Sequence, residues 1–438
     1  MTIRKLTLAI ALVAGAVSAL VPTASFAQAK EQFFPVLPYR SGAYAPNGVP
    51  WANGFVDYLK LINARDGGIN GVKLSFEECD TAYATDRGVE CYERLKGKAS
   101  GAIFQPLSTG ITFALTEKAP NDKNALITGG YGRSESSDGG VFKWNFPLMG
   151  TYWSGADILM QHITAKEGGN LKGKKIALVY HDSPYGKEPI MALEARAKVN
   201  GFVFKAIPVT HPGVEQKSQW LAIRQDRPDY VLLWGWGVMN STSIKEAAAV
   251  GFPREKVIGV WWSGAEPDVT PAGEQSAGYK ALMLQHGPGK FAVHADLEKN
   301  VVSKGKAAAK EDFAQVLYNR GLINSMIGTE AIRTAMKKYG NKPMTGEQVR
   351  WGFENLNLTA ARIKELGFEG MLQPLRFTCE DHQGADVARM QQWDGKAWKT
   401  ISDYYKADDS ILAPLVKENA AKYATEKKIT ARDCSKES

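Results

Sequence analysis

The stretch KIALVYHDSPYG, residues 175–186, decides the fold of this 438-residue chain. Its apolar first half is short enough for one buried strand, and its second half holds turn-forming residues that end a strand. Pro184 favours the first turn of a helix, which we predict to extend to residue 200. The stretch therefore predicts a strand, a loop and a helix, the repeating unit of parallel α/β sheets.

The same alternation occurs on both sides of this stretch. Further strands are predicted at residues 33–37, 72–76, 102–105, 125–128, 204–209, 230–233 and 257–261. Helices are predicted between them at residues 51–65, 87–97, 109–118, 153–166, 216–225 and 240–250. A crossover strand at 279–284 precedes helices at 310–318, 323–339 and 346–355 and short strands at 375–378, 387–393 and 398–402.

This spacing predicts an α/β protein with two doubly wound, Rossmann-like lobes joined by a hinge of several strands. Lobe 1 is assigned residues 28–148 and about 280–375, and lobe 2 is assigned residues 149–279 and about 376–404. Residues 405–438 are left as a charged C-terminal tail.

Residues 1–27 are interpreted as a signal peptide. Arg4 and Lys5 precede an apolar run at residues 6–20, and small residues near position 27 predict cleavage near Ala27. The run is too short for a stable membrane span, which needs roughly 20 apolar residues, although an N-terminal anchor is the alternative. We therefore expect a soluble mature protein that works outside the cytoplasm.

The net charge of the chain is +8, and loss of the signal peptide leaves +6. Basic and acidic residues are interspersed, apart from a basic stretch at residues 304–310. Binding to nucleic acid would need a concentrated basic face, so we expect no nucleic-acid partner.

The four cysteines of this exported chain predict disulfides. Cys79 follows a predicted strand and Cys91 lies in the next predicted helix, and such elements pack together. A bond between Cys379 and Cys434 would then attach the tail to the body. Metal binding is the alternative, but the spacing of a zinc site is absent.

Ligands of open parallel sheets bind beyond the carboxyl ends of the strands. Six loops rich in glycine, small polar and aromatic residues lie there, at residues 40–44, 106–110, 128–133, 181–186, 234–237 and 262–266. Ser108 and Thr109 begin a helix, where they either cap it or also bind an anion. Trp234, Trp236 and Trp262 form either an aromatic pocket wall or packing beneath loops.

Motifs of common enzymes are missing from the sequence, including the phosphate-binding loop, H-E-x-x-H and G-x-S-x-G. His181 and Asp182 are adjacent, but successive residues of a strand point to opposite faces. We therefore predict no catalytic residues, metal or cofactor, and an exported enzyme is the less favoured alternative.

From residue 33 to about residue 402, the chain resembles the periplasmic substrate-binding proteins of ABC importers, in the branch typified by the leucine/isoleucine/valine-binding protein. The resemblance rests on the order of the six loops, on DSPYG at residues 182–186, and on the strand at 228–233 with the helix ending in AAAVG at 247–251. It implies the type I periplasmic binding fold, a monomer in the periplasm, and a small solute and ABC permease subunits as partners.

The resemblance also implies a set of ligand-binding residues in the cleft between the lobes. In the family, hydroxyl and backbone groups of lobe 1 hold the ligand carboxylate, and an acid of lobe 2 binds the ligand ammonium. Ser108, Thr109, Gly130 and Gly132 stand at the positions for the carboxylate, and Glu266 stands at the position of the acid. The expected residues are Tyr44, Ser108, Thr109, Gly130, Tyr131, Gly132, Tyr185, Trp234, Trp236, Trp262 and Glu266. From the residues alone, Glu266 is equally a solvated loop carboxylate.

Two departures from the family pattern leave the ligand open. Gly132 replaces a hydroxyl side chain of the amino-acid binders, and Trp236 makes lobe 2 more aromatic. We expect a branched-chain or other apolar or aromatic amino acid. An aromatic or apolar carboxylate, with Arg40 or Arg133 as anion partner, or an amide-type solute is the alternative, as is a ligand-sensing domain instead of a transport receptor.

Overall fold

The computed structural model describes residues 31–98, 101–285 and 287–437. The predicted signal peptide at residues 1–27 lies outside the described residues. Among the described helices, none is both long and apolar enough to cross a membrane.

Lobe 1 begins with short strands that alternate with helices. Its elements are β1 (Gln32–Val36), α1 (Ala45–Asp66), β2 (Leu74–Glu78), α2 (Thr85–Leu95), β3 (Ile103–Phe104), α3 (Thr109–Thr116), α4 (Ala119–Asp122), β4 (Ala125–Gly129) and β5 (Asn145–Leu148). β1 pairs with β2, and β4 pairs with β3 and β5, all in parallel. β1 lies beside β3, so the five strands form one layer.

Lobe 2 repeats this alternation around one large sheet. Its elements are α5 (Tyr152–Lys166), β6 (Lys175–His181), α6 (Pro184–Lys187), α7 (Ile190–Asn200), β7 (Val203–Val209), α8 (Lys217–Asp226), β8 (Tyr230–Trp234), α9 (Val238–Ala249), β9 (Val257–Gly259), α10 (Glu266–Val269) and β10 (Lys280–Met283). β6 is buried from its second residue to its last and pairs in parallel with β7 and β8. The strand predicted from KIALVY is therefore a central strand of this lobe.

The chain then returns to lobe 1 and crosses once more to lobe 2. The remaining elements are α11 (Ala292–Leu297), α12 (Val316–Tyr339), α13 (Gly346–Glu354), β11 (Asn357–Leu358), α14 (Ala360–Glu365), β12 (Leu375–Arg376), β13 (Val387–Trp393), β14 (Trp398–Thr400), β15 (Tyr405–Lys406) and α15 (Asp409–Lys427). The sheet of lobe 2 has the order β14-β13-β10-β9-β8-β6-β7, with β15 on β13. β10 pairs with β9 in parallel and with β13 antiparallel, so it belongs to the sheet of lobe 2 although our limits placed residue 280 in lobe 1.

Helices α1 and α12 cross at a distance that only glycine permits. A Cβ on Gly54 would lie 2.0 Å from the Tyr318 carbonyl oxygen, and one on Gly321 would lie 2.1 Å from that of Trp51. Both helices are almost wholly buried over this crossing. The two helices thus form the core of lobe 1 behind its sheet.

Several predicted boundaries differ from the structure. The helix predicted at 310–318 is wrong, because residues 311–314 form turns and α12 begins at Val316. The helix predicted at 184–200 is two helices, since the chain bends at Glu188 and Pro189. α1 begins at Ala45, six residues earlier than predicted, because Pro46 occupies the first turn, where its missing N–H is not needed.

The C-terminal tail is an ordered connection between the lobes. It begins on the sheet of lobe 2, where β15 pairs with β13. Tyr423 of α15 then stacks on Phe142 of lobe 1 at 4.7 Å between ring centroids. Lys427 forms an ion pair with Glu117 of lobe 1 at 2.6 Å. The sequence predicted neither this helix nor β5.

Both predicted disulfides are confirmed. Cys79 is bonded to Cys91, and Cys379 is bonded to Cys434, with sequence separations of 12 and 55. The second bond fixes the end of the tail to the segment between β12 and β13.

Removing the Cys379–Cys434 bond should destabilise the protein more than removing the Cys79–Cys91 bond. A disulfide lowers the conformational entropy of the unfolded chain, and this effect grows with the size of the closed loop. It corresponds to a stabilisation of about 4 kcal/mol for the larger loop and about 3 kcal/mol for the smaller one. Urea unfolding of the two double Cys→Ser variants under oxidising conditions measures both losses. An equal or smaller loss for Cys379→Ser/Cys434→Ser would show that the tail contributes no such restraint.

Candidate functional site

A narrow cavity lies between the lobes, at the carboxyl ends of their strands. Lobe 1 and lobe 2 both contribute to its wall. The lining residues are Tyr39, Tyr83, Leu107, Ser108, Thr109, Tyr131, Tyr152, Tyr185, Trp236 and Trp262. The cavity is therefore small, aromatic and enclosed by both halves of the molecule.

The polar end of the cavity is the start of α3. Ser108 is the N-cap of this helix, and its hydroxyl accepts a hydrogen bond from the Ile111 N–H at 3.3 Å. The Thr109 hydroxyl accepts one from the Gly132 N–H at 3.3 Å. The Ser108 hydroxyl also lies within reach of the Tyr83 phenol, and the Thr109 hydroxyl lies within reach of the Tyr152 phenol. Together with the positive end of the helix dipole, these groups favour a negatively charged or oxygen-rich ligand.

The aromatic part of the wall consists of rings at steep angles to one another. Trp236 and Trp262 meet at 89°, with ring centroids 5.3 Å apart. Tyr39 meets Trp236 at 88°, and Tyr131 meets Trp262 at 72°. Edge-to-face pairs of this kind stabilise each other beyond the area that they bury. The rings thus hold the shape of the cavity without help from a ligand.

Some hydroxyl groups of the wall are already engaged. The Tyr185 hydroxyl donates to the Gly235 carbonyl at 2.9 Å, and the Tyr131 hydroxyl accepts from the Leu107 N–H at 3.0 Å. By contrast, the Tyr39 hydroxyl and the Trp236 indole nitrogen are buried without a hydrogen-bond partner. The two groups lie close to each other, and the Tyr39 phenolic proton remains available to an acceptor atom of a ligand.

Hydrogen bonds between the lobes surround this cavity. The Gly130 carbonyl of lobe 1 accepts from the indole N–H groups of both Trp261 and Trp262 of lobe 2, at 2.6 and 2.7 Å. The Tyr44 hydroxyl bonds to His181 Nε2 at 2.7 Å. These contacts close the cleft over the cavity.

Two further contacts between the lobes involve buried acids. Asn47 of α1 donates to Asp268 of α10 at 3.1 Å. The Ser134 hydroxyl donates to Glu188 at 2.6 Å, and burial together with the nearby Glu135 carboxylate raises the pKa of Glu188 to about 8. The closed arrangement therefore favours the protonated form of Glu188 more than solvent would.

Residues 31–397 match the family model described as "Periplasmic binding protein". The chain belongs to the periplasmic binding protein family. Members of this family are transport proteins that bind a substrate, and they are not enzymes. The resemblance seen in the sequence is thus confirmed at the level of the family.

Relatives of this periplasmic binding protein agree with that assignment. It is 23% identical over 343 residues to Leu/Ile/Val-binding protein homolog 7 of Brucella suis biovar 1, covering 77% of this chain and 78% of the relative. A solved structure from the Pseudomonas fluorescens group, described as an ABC transporter permease, is 46% identical with a TM-score of 0.86, covering 92% and 99% of the two chains. A branched-chain amino acid ABC transporter from Thermus thermophilus with bound valine is 20% identical with a TM-score of 0.73, covering 86% and 97%. These neighbours confirm the predicted type I periplasmic binding fold.

Six of the predicted ligand-binding residues line the cavity of this binding protein. They are Ser108, Thr109, Tyr131, Tyr185, Trp236 and Trp262. Four others stand behind the wall. Tyr44 packs against Tyr83, Gly130 binds the two indoles, Gly132 supports Thr109, and Trp234 is buried against Tyr152.

Glu266 lies outside the cavity wall, and its carboxylate binds a backbone N–H group of the opposite lobe. It accepts from the Val316 N–H at 3.2 Å, so it caps the N-terminus of α12 from the opposite lobe. Burial raises the pKa of Glu266 to about 7. Its position does not favour the predicted contact with a ligand ammonium.

The two arginines that we considered as anion partners also lie elsewhere. Arg40 forms an ion pair with Glu78 and donates to Asn53. Arg133 forms an ion pair with Glu135 at 2.6 Å. Neither side chain lines the cavity.

The sequence did not identify four wall residues, Tyr39, Tyr83, Leu107 and Tyr152. Tyr39 lies one residue before the loop that we considered, and Leu107 lies inside another such loop. Tyr83 is in the loop after β2, which also follows the carboxyl end of a strand. Tyr152 begins α5, where nothing in the sequence distinguishes it from a core residue.

A possible metal grouping also fails on its chemistry. Glu354, Cys379 and Glu437 lie close together. The Cys379 sulfur is bonded to Cys434, and both glutamates form ion pairs with Arg432. The cluster is thus an ionic contact that holds the tail.

His181 should make the stability of this protein depend on pH. Burial and the neighbouring His211 lower its pKa to about 3, whereas a histidine in an unfolded chain titrates near 6.5. Protonation therefore favours the unfolded chain as pH falls below 6.5, by about 1.4 kcal/mol at pH 5.5. In urea unfolding, we therefore expect the free energy of unfolding to fall less between pH 7.5 and pH 5.5 for His181→Gln than for the unchanged protein. An unchanged difference would mean that His181 is protonated equally in both states.

Proposed function

We propose that this protein is the solute-binding component of an ABC importer. It is exported through the predicted signal peptide, works as a monomer in the periplasm, and captures a small carboxylate-bearing solute between its lobes. The closed form then delivers the solute to membrane permease subunits. Membership of the periplasmic binding protein family supports the role, and the Thermus thermophilus neighbour shows that this fold holds a carboxylate-bearing ligand, valine.

The observation that carries this proposal is the cavity that both lobes enclose, with Ser108 and Thr109 at its polar end. A carboxylate at the start of α3 would accept hydrogen bonds from both hydroxyls, and the helix dipole would stabilise its charge. The aromatic rings would cover the apolar part of the solute. Enclosure excludes water, which strengthens each of these hydrogen bonds.

Purified protein should carry or bind such a solute. Native mass spectrometry of freshly isolated protein, and thermal shift with a panel of amino acids and simple carboxylates, measure this directly. Binding should increase the thermal stability by an amount that grows with solute concentration. If neither method detects a small solute of any class, the proposed function is wrong.

Ser108→Ala should weaken binding about 10- to 100-fold, since a hydrogen bond to a charged group contributes roughly 1.5–3 kcal/mol. Ser218→Ala is the matched control, because Ser218 also lies in the first turn of a helix but is exposed on α8. Isothermal titration gives both affinities, and unfolding without solute measures the separate loss of the α3 cap. Equal affinities of the two variants would place the carboxylate elsewhere.

A further inference from the structure

We propose that the solute presents hydrogen-bond acceptors and carries no free ammonium group, so that the site selects a simple, oxo or hydroxy carboxylic acid against the matching α-amino acid. This inference rests on the proposed function and specifies its substrate class.

The first reason is the composition of the cavity wall. Within the described residues, the wall contains phenols, indoles, two aliphatic hydroxyls and a leucine, but no acidic side chain. An ammonium group has three donors and no acceptor. Burying it without a carboxylate or several carbonyl partners is strongly unfavourable. The wall thus lacks what an amino acid needs.

The second reason is that the acids near the cleft are already used. Asp268 accepts from Asn240 at 2.8 Å, from Asn47, and from the Ala265 N–H at 2.9 Å. Glu266 caps α12. To bind a ligand ammonium, either acid would have to break contacts that hold the lobes together.

The third reason is an excess of donors in the wall. The Trp236 indole N–H approaches the Tyr39 hydroxyl, but both atoms remain without a hydrogen bond of proper geometry. Even if Trp236 donated to Tyr39, the phenolic proton would still lack an acceptor. A buried donor that stays unpaired costs about 1–3 kcal/mol, and an acceptor atom on the solute would remove this cost.

The fourth reason is a positive charge behind the wall. The buried Arg320 guanidinium lies 4.3 Å from the ring centroid of Trp262. It donates to two neutral oxygens, Gln285 Oε1 and the Trp261 carbonyl. The carboxylates of Asp268 and Glu266 also interact with Arg320 and balance part of its charge. Its contact with Trp262 still disfavours a second cation on that ring.

Matched ligands test the inference. For three-, five- and six-carbon skeletons and an aromatic one, isothermal titration compares the amino acid with its oxo, hydroxy and unsubstituted acids. Glycine betaine serves as a zwitterionic probe, whose quaternary ammonium carries a positive charge without N–H donors. On every skeleton that binds, we expect an acid without ammonium to bind at least tenfold more tightly than the amino acid. Equal or tighter binding of the amino acid, or tight binding of betaine, would overturn the inference but leave the proposed function intact. Binding of no solute would overturn both.

A pair of variants tests the role of the unpaired donor. Trp236→Phe keeps an aromatic ring and removes the N–H, so we expect carboxylate affinity to fall about tenfold while thermal stability without solute is retained. Trp398→Phe is the control, because Trp398 is also buried with an unpaired indole nitrogen but lies on β14. Unchanged or tighter carboxylate binding by Trp236→Phe would contradict the inference. If Trp236→Phe does not fold, Tyr39→Phe provides the same test.

Discussion

One carbonyl group, that of Gly130, joins the two lobes directly beside the cavity. It accepts hydrogen bonds from two neighbouring indoles of the opposite lobe, and one of these indoles, Trp262, is also a wall of the cavity. Gly130 has φ +78°, and a Cβ there would lie 2.4 Å from a methyl group of Leu284. Only glycine satisfies both demands. This backbone position thus connects a contact between the lobes with the placement of one residue of the cavity wall.

The alternation of strands and helices accounts for most of what the sequence predicted correctly. A buried strand such as β6 is visible in a single sequence because its apolar run is short and bounded by turn residues. Once strands are known, topology places the ends of parallel strands at one edge of the sheet. Ser108, Thr109 and Trp236 were found in this way, although nothing else in the sequence marks them.

The sequence could not assign roles that depend on the approach of the two lobes. Glu266 follows a strand end, as a ligand-binding acid would, but the first turn of α12 approaches it from the opposite lobe. Trp234 and Trp236 are two residues apart, yet one packs into lobe 2 and the other faces the cavity. α15 has an almost uniform distribution of polar and apolar residues around its axis, so periodicity does not reveal it.

The unpaired donors of the wall connect solute selection to closure. Hydrogen bonds between the lobes each contribute roughly 0.5–1.5 kcal/mol, and several of them favour the closed form. Tyr39 and Trp236 oppose this, because in the closed form they are buried without hydrogen bonds of proper geometry. A solute shifts the equilibrium only by the difference in its affinity for the two forms. A solute with an acceptor atom that binds Tyr39 or Trp236 only in the closed form supplies this difference in affinity. The side chains that select the solute are therefore also the ones that make closure depend on the solute.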